Sequence, residues 1–236
     1  MGKELDVHIP CPQAGCGSSD GYVTYLEPDG NVVGYCFSCE QGHKVSGEAD
    51  YQPRVPSEPK KKRAMLCAPV SEVPERKLPL DTCKKYDIGT SIIDGKKYYT
   101  FGYYNAQGVK DMSKVRGPNK CFNPRDDYRC GTTGEGAGEP RLFGMQAFKP
   151  SKDKAITLCE GEFDAPSAYE MNGRWPCVSV RSSAQAVKDV EGHYEWLNKW
   201  KEVVICFDSD KAGQKAARAV ALKFPGKCRI VKMTKY

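Results

Sequence analysis

Short apolar runs alternate with amphipathic segments in the second half of the chain, and this order predicts a parallel α/β sheet. The runs predict β-strands at residues 155–159, 177–180, 203–207 and 228–233. Helices are predicted at about 164–171 and at 211–224, each followed by residues that end helices, Asn172-Gly173 and Pro225-Gly226. Strands that alternate with helices usually pair in parallel, so we expect an α/β domain over residues 151–236.

The region from 80 to 150 has a different pattern, in which tyrosine-rich runs alternate with polar residues. A turn-like sequence, Asn105-Ala-Gln-Gly108, separates two such runs and indicates a hairpin or small sheet. We expect the glycine-rich sequence 131–140 to be a loop. Residues 80–150 are therefore predicted to be the first part of the folded domain that continues to residue 236, an α+β arrangement overall.

Composition changes sharply in the first third of the chain and suggests two modules joined by a linker. Residues 52–79 contain six prolines and no aromatic residue, so we predict a semi-extended, basic, flexible linker over 51–79. Its run Lys60-Lys61-Lys62-Arg63 either contacts a nucleic-acid backbone or is a solvated tether. The first 50 residues are then a separate small module.

Charge and hydropathy narrow the class of protein. The net charge of +6 suits a nucleic-acid partner but also many ordinary surfaces. No run approaches the roughly 18 apolar residues of a membrane helix, so no membrane partner is expected. The first residues lack the apolar core of a signal peptide, and a cytoplasmic location is expected. Some of the twelve cysteines are therefore expected to bind metal.

Four cysteines in the first module have the spacing of a zinc ribbon. Two pairs flank a predicted hairpin that turns at Pro28-Asp29-Gly30, and the predicted ligands are Cys11, Cys16, Cys36 and Cys39. Free thiols or two disulfides are the alternatives, and His8 and His43 are not needed as ligands. Tyr25, Tyr35 and Phe37, with Lys44 nearby, either stack on single-stranded bases or form the ribbon's small core.

Acidic residues follow two of the predicted parallel strands. Glu160, Glu162 and Asp164 follow the first strand, and Asp208 and Asp210 follow the third. Ligands bind beyond the carboxyl ends of such strands. Residues two apart in an extended chain point to the same side, so Asp208 and Asp210 can face one site, which Glu160 joins if the two strands are neighbours. Clustered carboxylates suit Mg²⁺ and phosphoryl chemistry. The alternative is that the acids favour helix amino termini. No phosphate loop or EF-hand pattern is present.

The motifs together resemble a known family. EGEFDAPSA (160–168) and VVICFDSDKAGQKAA (203–217) resemble a Toprim domain, the catalytic fold of bacterial-type primases and some topoisomerases. KVRGPNKCF (114–122), RLFGMQAF (141–148) and the Cys₄ module resemble the preceding segments of primases from T7-like phages. The resemblance covers nearly the whole chain. It implies the primase half of a phage primase-helicase, with a zinc ribbon, a linker and a Toprim-containing domain.

The resemblance also implies roles for matching residues. Glu160 would act near the growing 3′-hydroxyl as base or metal ligand, and Asp208 and Asp210 would hold one or two Mg²⁺ or Mn²⁺ ions. Phosphate and nucleic-acid contacts would come from Lys114, Arg116, Lys120, Arg181 and Lys211. The zinc module, with one structural zinc, would recognise a short template sequence.

Three departures from the family pattern affect these expectations. Four residues separate Cys11 from Cys16, where the family usually has two. Arg181 stands where a small residue is expected. The family's further acidic ligand would lie beyond Tyr236.

The leading functional hypothesis is a DNA primase, which makes short RNA primers on a single-stranded DNA template from ribonucleoside triphosphates. Expected partners are the template, the nucleotides, the RNA primer, a fused or separate replicative helicase and a phage DNA polymerase, in the bacterial cytoplasm. The alternatives are a primase-like module that only binds single-stranded DNA and a small Toprim nuclease. A type IA topoisomerase is not expected, since its tyrosine lies on a separate large domain.

Overall fold

The computed structural model describes residues 3–47 and 62–232, and the chain divides into two compact units, Met1–Lys61 and Lys62–Tyr236. In the described parts of both units, no helix has the length and apolar character needed to cross a membrane. Residues 48–61, with Lys60 and Lys61 of the basic run, lie outside the described residues, as do the side chains of His43 and Lys44.

The first unit is a four-stranded antiparallel sheet in the order β1-β2-β3-β4. The strands are β1 (Lys3–Glu4), β2 (Tyr22–Leu26), β3 (Asn31–Cys36) and β4 (Gln41–Gly47). The predicted hairpin joins β2 to β3, and Gly30 takes the positive φ of 81° that its turn requires. A Cβ on Gly34 would overlap the Tyr22 ring, so this glycine lets Tyr22 pack across the sheet.

An antiparallel sheet begins the second unit, in the order β5-β6-β7-β8. It follows helix α1 (Leu80–Tyr86) and comprises β5 (Ile88–Ile93), β6 (Lys96–Tyr104), β7 (Lys110–Arg116) and β8 (Gly131–Thr133). The predicted Asn105–Gly108 turn joins β6 to β7. The loop predicted at 131–140 is wrong at its start, because the β-branched Thr132 and Thr133 pair with β7 as a fourth strand.

The expected linker is also wrong where the structure describes it. Val73 and Leu78 are buried and hydrogen-bond to each other across a tight turn. The Arg63 guanidinium donates to the backbone carbonyls of Cys130 and Thr132, and Lys62 donates to the carbonyl of Glu135. The prolines here shape turns against the domain, so residues 62–79 belong to the folded unit and the basic run is partly occupied with backbone contacts.

The parallel sheet predicted from the apolar runs is present, with strand order β10-β9-β11-β12. The strands are β9 (Ala155–Cys159), β10 (Cys177–Ser179), β11 (Glu202–Cys206) and β12 (Cys228–Ile230). The helices are α2 (Asp164–Met171), α3 (Ala186–Gly192), α4 (Tyr194–Asn198) and α5 (Lys211–Ala221). The mixed α/β class is confirmed. Helix α5 ends at Ala221, where the sequence predicted residue 224, and β12 ends at Ile230, where it predicted residue 233. Helices α3 and α4 were not predicted.

Two buried clusters hold this unit together and fix its two sheets against each other. One lies within the parallel sheet and its helices and includes Leu158, Ile205 and Trp200. The other joins residues of both sheets, among them Phe101, and it places β7 beside the carboxyl ends of the parallel strands. Phe143 adds a β-bridge to Ser179 at the edge of β10, which extends the contact between the sheets.

Candidate active site

Glu160 and Asp208 follow neighbouring strands, as the sequence predicted on the condition that those strands are adjacent. Strands β9 and β11 pair in parallel with Cys159 opposite Cys206, so the next residues leave the sheet at the same edge. The Glu160 carboxylate accepts a hydrogen bond from the backbone N–H of Asp208 at 3.1 Å. The chain proceeds from β9 to β10 on one side and reaches β11 on the other, so this edge is a topological switch point where α/β sheets bind ligands.

One carboxylate oxygen of Asp210 has a partner within the protein. Its carboxylate accepts a hydrogen bond from the backbone N–H of Gly213 at 2.7 Å and caps helix α5. The alternative interpretation, in which an acid favours the amino terminus of a helix, therefore applies to one carboxylate oxygen of Asp210. The chain after β11 bends instead of continuing as an extended strand. Among the described residues, the oxygens of Glu160, Asp208 and Asp210 do not form a compact three-ligand group.

A glycine permits the close approach of the two strand ends. A Cβ on Gly213 would lie 2.5 Å from the backbone oxygen of Asp208 and 2.8 Å from Glu160 Oε2. Both distances are shorter than real Cβ contacts, so a larger residue would displace the loop that carries Asp208. The glycine of the sequence DSDKAG is thus a steric requirement of the carboxylate site.

Burial and repulsion between carboxylates raise the pKa values of two acids at this site. Burial raises the pKa of Glu160, and the nearby charges of Asp208 and Asp210 raise it further, against hydrogen bonds that lower it. Burial likewise raises the pKa of Asp164, with Asp208 the next cause. Such an unfavourable concentration of negative charge is relieved by a cation.

Lys114 reaches the same edge from the antiparallel sheet. Its ammonium forms a buried ion pair with Glu162 at 2.7 Å and donates to the backbone oxygen of Arg181 at 2.6 Å. Tyr103 also donates to Glu162, at 2.5 Å, and its burial raises its pKa well above the ordinary value. This network connects β7 to the ends of β9 and β10 and fixes the position of the Lys114 ammonium.

Acidic and basic side chains together line a cleft of about 750 Å³ at this edge of the sheet. Of the predicted residues it contains Glu160, Asp208, Lys114, Arg116 and Arg181. Lys120 lies instead in two adjoining grooves, and Lys211 is an exposed first residue of α5 that lines none of these cavities. The cleft can thus bring an anionic ligand close to the paired carboxylates.

The Arg181 side chain is bound by a buried carboxylate of the protein, that of Asp189. It is 9% exposed, and its Nε and Nη2 contact the fully buried Asp189 carboxylate at 2.8 and 2.6 Å. The backbone N–H of Arg181 donates to the same carboxylate at 3.0 Å. The structure therefore gives this side chain a partner within the protein, where the sequence suggested a phosphate or template contact.

Comparison with known proteins agrees with this geometry. Residues 157–236 match the family described as Toprim-like. The chain contains a Toprim domain. It is 28% identical over 240 residues to a DNA helicase/primase of Enterobacteria phage T3, a match that covers 94% of this chain and 38% of that protein. The chain therefore spans well under half the length of this curated relative.

Solved structures extend the similarity to the regions before the Toprim domain. The primase fragment of the bacteriophage T7 primase-helicase matches with a TM-score of 0.64 and 28% identity, over 97% of this chain and 90% of that one. A T7 structure in which the lagging-strand DNA polymerase interacts with primase domains bound to an RNA/DNA hybrid and dTTP matches with a TM-score of 0.59 and 28% identity. That match covers 70% of this chain and 80% of that one. The resemblance expected from the sequence is confirmed.

Sequence reasoning missed several residues that line the cleft of the Toprim domain. Arg76 was assigned to the linker, and Phe122, Gln185 and Lys188 were not singled out. Phe122 lies under two cations, with the Lys114 ammonium 4.7 Å and the Arg116 guanidinium 5.5 Å from its ring centre. Its position two residues after Lys120, within KVRGPNKCF, was the available signal for Phe122, whereas the Arg76 contact depends on folding.

The four predicted cysteines of the first unit form the metal-ligand group that the sequence indicated. Their sulfur atoms all lie within 4.8 Å of one another, with 3.9 Å between Cys11 and Cys39 and 3.7 Å between Cys16 and Cys36. A tetrahedral zinc with Zn–S bonds of about 2.3 Å requires S–S edges of about 3.8 Å. The donors therefore fit zinc, and the longer Cys11–Cys16 loop does not prevent the cluster. His8 is exposed and is not part of it.

The thiols of this cluster differ in their pKa values. Burial, together with neighbouring sulfurs, raises the pKa of Cys11 to about 12. For Cys36, burial is outweighed by backbone N–H groups of Cys39 and Ser38, which lower its pKa to about 6. One thiolate is thus available near neutral pH, and the other thiols must lose protons when a metal binds.

Two aromatic residues project from the same unit. Tyr35 and Phe37 are 37% and 61% exposed, and their rings meet edge to face with centres 5.1 Å apart. Tyr25 is half-buried. The exposure of Tyr35 and Phe37 favours the base-stacking interpretation over the core interpretation for this pair.

Proposed function

We propose that this chain is the primase part of a phage replication protein and makes short RNA primers on single-stranded DNA from ribonucleoside triphosphates. The observation that carries the proposal is the pair Glu160 and Asp208 at adjacent strand ends, in a cleft that Lys114 and Arg116 also line. Acids that repel one another without a cation, beside basic side chains that line the same cleft, suit a metal-bound nucleotide. The similarity to phage primase proteins supports the same reading.

In the proposed reaction, the 3′-hydroxyl of the growing primer attacks the α-phosphate of the next nucleotide and pyrophosphate leaves. Glu160 is proposed to act near this hydroxyl, as base or metal ligand. Asp208 and Glu160, with the Asp210 oxygen that does not cap α5, would hold Mg²⁺ or Mn²⁺. Bound there, the ion supplies positive charge to the transferring phosphate. Because magnesium keeps several waters and uses few carboxylates, a compact three-ligand group is not required.

The basic residues have different proposed roles in binding phosphate and nucleic acid. Lys114 and Arg116 bind phosphates inside the cleft, where Glu162 and Phe122 keep the Lys114 ammonium in place. Lys120 and Lys211 lie outside it and are proposed to contact the backbone of the primer or template. Arg181 is proposed to shape the wall of the cleft through Asp189, a revision of its expected role.

The first unit is proposed to hold one structural zinc through Cys11, Cys16, Cys36 and Cys39 and to recognise a short template sequence. A sheet of this size buries little apolar surface, so a metal cross-link would add much of its stability. Tyr35 and Phe37 are the surface on which template bases would stack.

The proposed partners follow from the similar proteins. The T3 relative is a helicase/primase, and a matched T7 structure shows polymerase interacting with primase domains. We propose that this chain likewise works with a replicative helicase and a phage DNA polymerase in the cytoplasm of a bacterial host.

The test is to incubate the purified chain with ribonucleotides, Mg²⁺ and a pool of single-stranded templates, and to resolve labelled products on a gel. Asp208→Ala is compared with Asp153→Ala, an exposed acid at the opposite end of β9. We expect short RNA on particular templates, a loss of roughly a hundredfold or more in Asp208→Ala, and little change in the control.

Two results would contradict the proposal. Template binding without RNA synthesis would indicate the single-stranded DNA-binding module. Nicked DNA that forms with Mg²⁺ and without ribonucleotides would indicate a Toprim nuclease.

A further inference from the structure

Arg76 is presented by a short turn that is anchored on several sides. The turn, Pro74–Arg76, lies between Val73 and Leu78, which are buried and hydrogen-bonded to each other. Beside Arg76, the Glu75 carboxylate accepts hydrogen bonds from Lys97, at 2.5 Å, and from the Tyr99 hydroxyl. Arg76 itself is exposed. The backbone is therefore fixed while the guanidinium stays accessible.

The Arg76 side chain shares an aromatic ring with a second arginine. The guanidinium carbons of Arg76 and Arg116 lie 4.9 and 5.2 Å from the centre of the Phe163 ring. Burial and the neighbouring Arg76 charge lower the pKa of Arg116. Within the residues that the structure describes, neither arginine forms an ion pair. The nearby charges of Glu162 and Asp164 favour the charged form of Arg116 but form no ion pair with either arginine, so both guanidinium groups can still bind an anion from outside the protein.

These arginines lie where two cavities meet. Both line the cleft that contains Glu160 and Asp208, and both line a second groove of about 550 Å³. The second groove also contains Lys96, Lys97 and Lys120. Its one acidic group in the described chain is Glu75, which is already paired with Lys97. An anion that leaves the carboxylate cleft on this side therefore enters a strongly basic groove.

We propose that Arg76 is a phosphate-binding residue at the junction of the two cavities and that Phe163 holds its guanidinium there, beside Arg116. The ligand is a phosphate group of a nucleotide. It comes either from the triphosphate of the incoming nucleotide or from the backbone of the strand that passes from the cleft into the groove. This inference rests on the proposed function, because it assumes a nucleotide ligand at the Toprim carboxylates, but it does not require synthesis to occur.

The test uses two substitutions of Arg76 in the whole chain. Arg76→Met keeps an unbranched side chain over Phe163 and removes the charge, whereas Arg76→Lys keeps a charge and loses the planar guanidinium. Lys77→Ala is the matched control, since it removes a cation from the next residue, which lines neither cavity. Thermal unfolding and zinc content are measured for each variant to show that it is folded.

Binding is measured separately for inorganic tripolyphosphate, for ATP with Mg²⁺ and for a short single-stranded oligonucleotide over a range of salt concentrations. Loss of one charged phosphate contact weakens binding by roughly tenfold or more. For a single strand, it also reduces the slope of log affinity against log salt by about 0.7. We expect Arg76→Met to show these effects, Arg76→Lys to recover part of the affinity, and Lys77→Ala to resemble the unmodified chain.

The pattern across probes identifies the source of the phosphate. Weaker binding of tripolyphosphate and ATP assigns Arg76 to the incoming nucleotide, and weaker oligonucleotide binding with a lower salt slope assigns it to the strand. Either pattern supports the proposal. Unchanged affinity for all three probes in folded Arg76→Met overturns it. Binding is read without catalysis, so a chain that makes no primers contradicts the proposed function and leaves this test intact.

Discussion

The buried pair of Arg181 and Asp189 gives the sharpest stability prediction. Asp189 is fully buried, and its carboxylate accepts from Arg181 Nε at 2.8 Å, from the Arg181 backbone N–H at 3.0 Å and from the Arg141 backbone N–H at 3.3 Å. Asp189→Asn keeps the shape but leaves a buried guanidinium without its counter-charge. Loss of one partner of a buried ion pair costs about 3–5 kcal/mol, a large share of the roughly 5–15 kcal/mol that stabilises a typical domain.

The free energy of unfolding is measured by urea titration with tryptophan fluorescence, because all three tryptophans of the chain lie in the second unit. Asp189→Asn, Arg181→Met and the double variant form a cycle. We expect the double variant to cost less than the sum of the single variants by about 1–3 kcal/mol. Asp153→Asn, on an exposed turn, is the control and should change stability by no more than about 0.5 kcal/mol.

The reasoning is refuted if Asp189→Asn costs less than about 1 kcal/mol. Arg181 would then be only loosely held by its partner, and the sequence-based role as a phosphate or template ligand would regain its support. A large cost with strong coupling would leave Arg181 as a structural residue of the cleft wall.

Three further predictions follow from the site and the cysteine cluster. Glu160→Gln should abolish primer synthesis yet stabilise the fold at neutral pH. Because the pKa of Glu160 is raised in the folded chain, the folded chain binds this proton more tightly than the unfolded chain does. The ionised carboxylate therefore opposes folding, and glutamine removes that charge. This gain, measured by urea titration, should shrink as pH falls and Glu160 becomes protonated; an equal gain at acidic pH would argue against charge repulsion. Gly213→Ala should lower primer synthesis by roughly tenfold or more, because the new Cβ would lie 2.5 Å from the backbone oxygen of Asp208 and displace the loop. This loss is expected even though alanine favours a helix over glycine by about 1 kcal/mol. Lys215→Ala on the same helix is the control, and full activity of Gly213→Ala would show that the loop adapts. Zinc affinity, measured by competition with a chromogenic chelator, should fall as pH is lowered through neutrality, because the pKa of Cys11 is raised to about 12 and its proton must leave on binding; a pH-independent affinity would contradict the thiol assignment.

The sequence predicted the elements on which the site depends, and the reason is that their signals are local. The apolar runs before Glu160 and Asp208 predicted two buried strands, and the alternation of strands with helices predicted parallel pairing. The cysteine spacing and the Pro28-Asp29-Gly30 turn likewise predicted a hairpin with a ligand group at its ends. Each of these inferences needed only neighbouring residues and the usual geometry of strands and turns.

Errors arose where a residue's environment depends on distant parts of the chain. The proline-rich composition predicted a linker through residue 79, but Val73 and Leu78 bury themselves against the domain and bring Arg76 to the cleft. The spacing of Asp208 and Asp210 also did not show that the chain bends after β11 or that one Asp210 oxygen caps α5. Neither outcome is encoded in spacing alone.

By itself, the sequence determined the parallel strands with helices α2 and α5, the four clustered cysteines and the acids at the strand ends, because hydrophobic period and turn chemistry act over a few residues. Only the tertiary structure decided which charges meet. Lys114 pairs with Glu162 across 48 positions of sequence, and Arg181 is occupied by Asp189 because α3 folds back on the end of β10. Whether a cation is free for a ligand or held by the protein depends on burial and on long-range packing, which no local pattern contains.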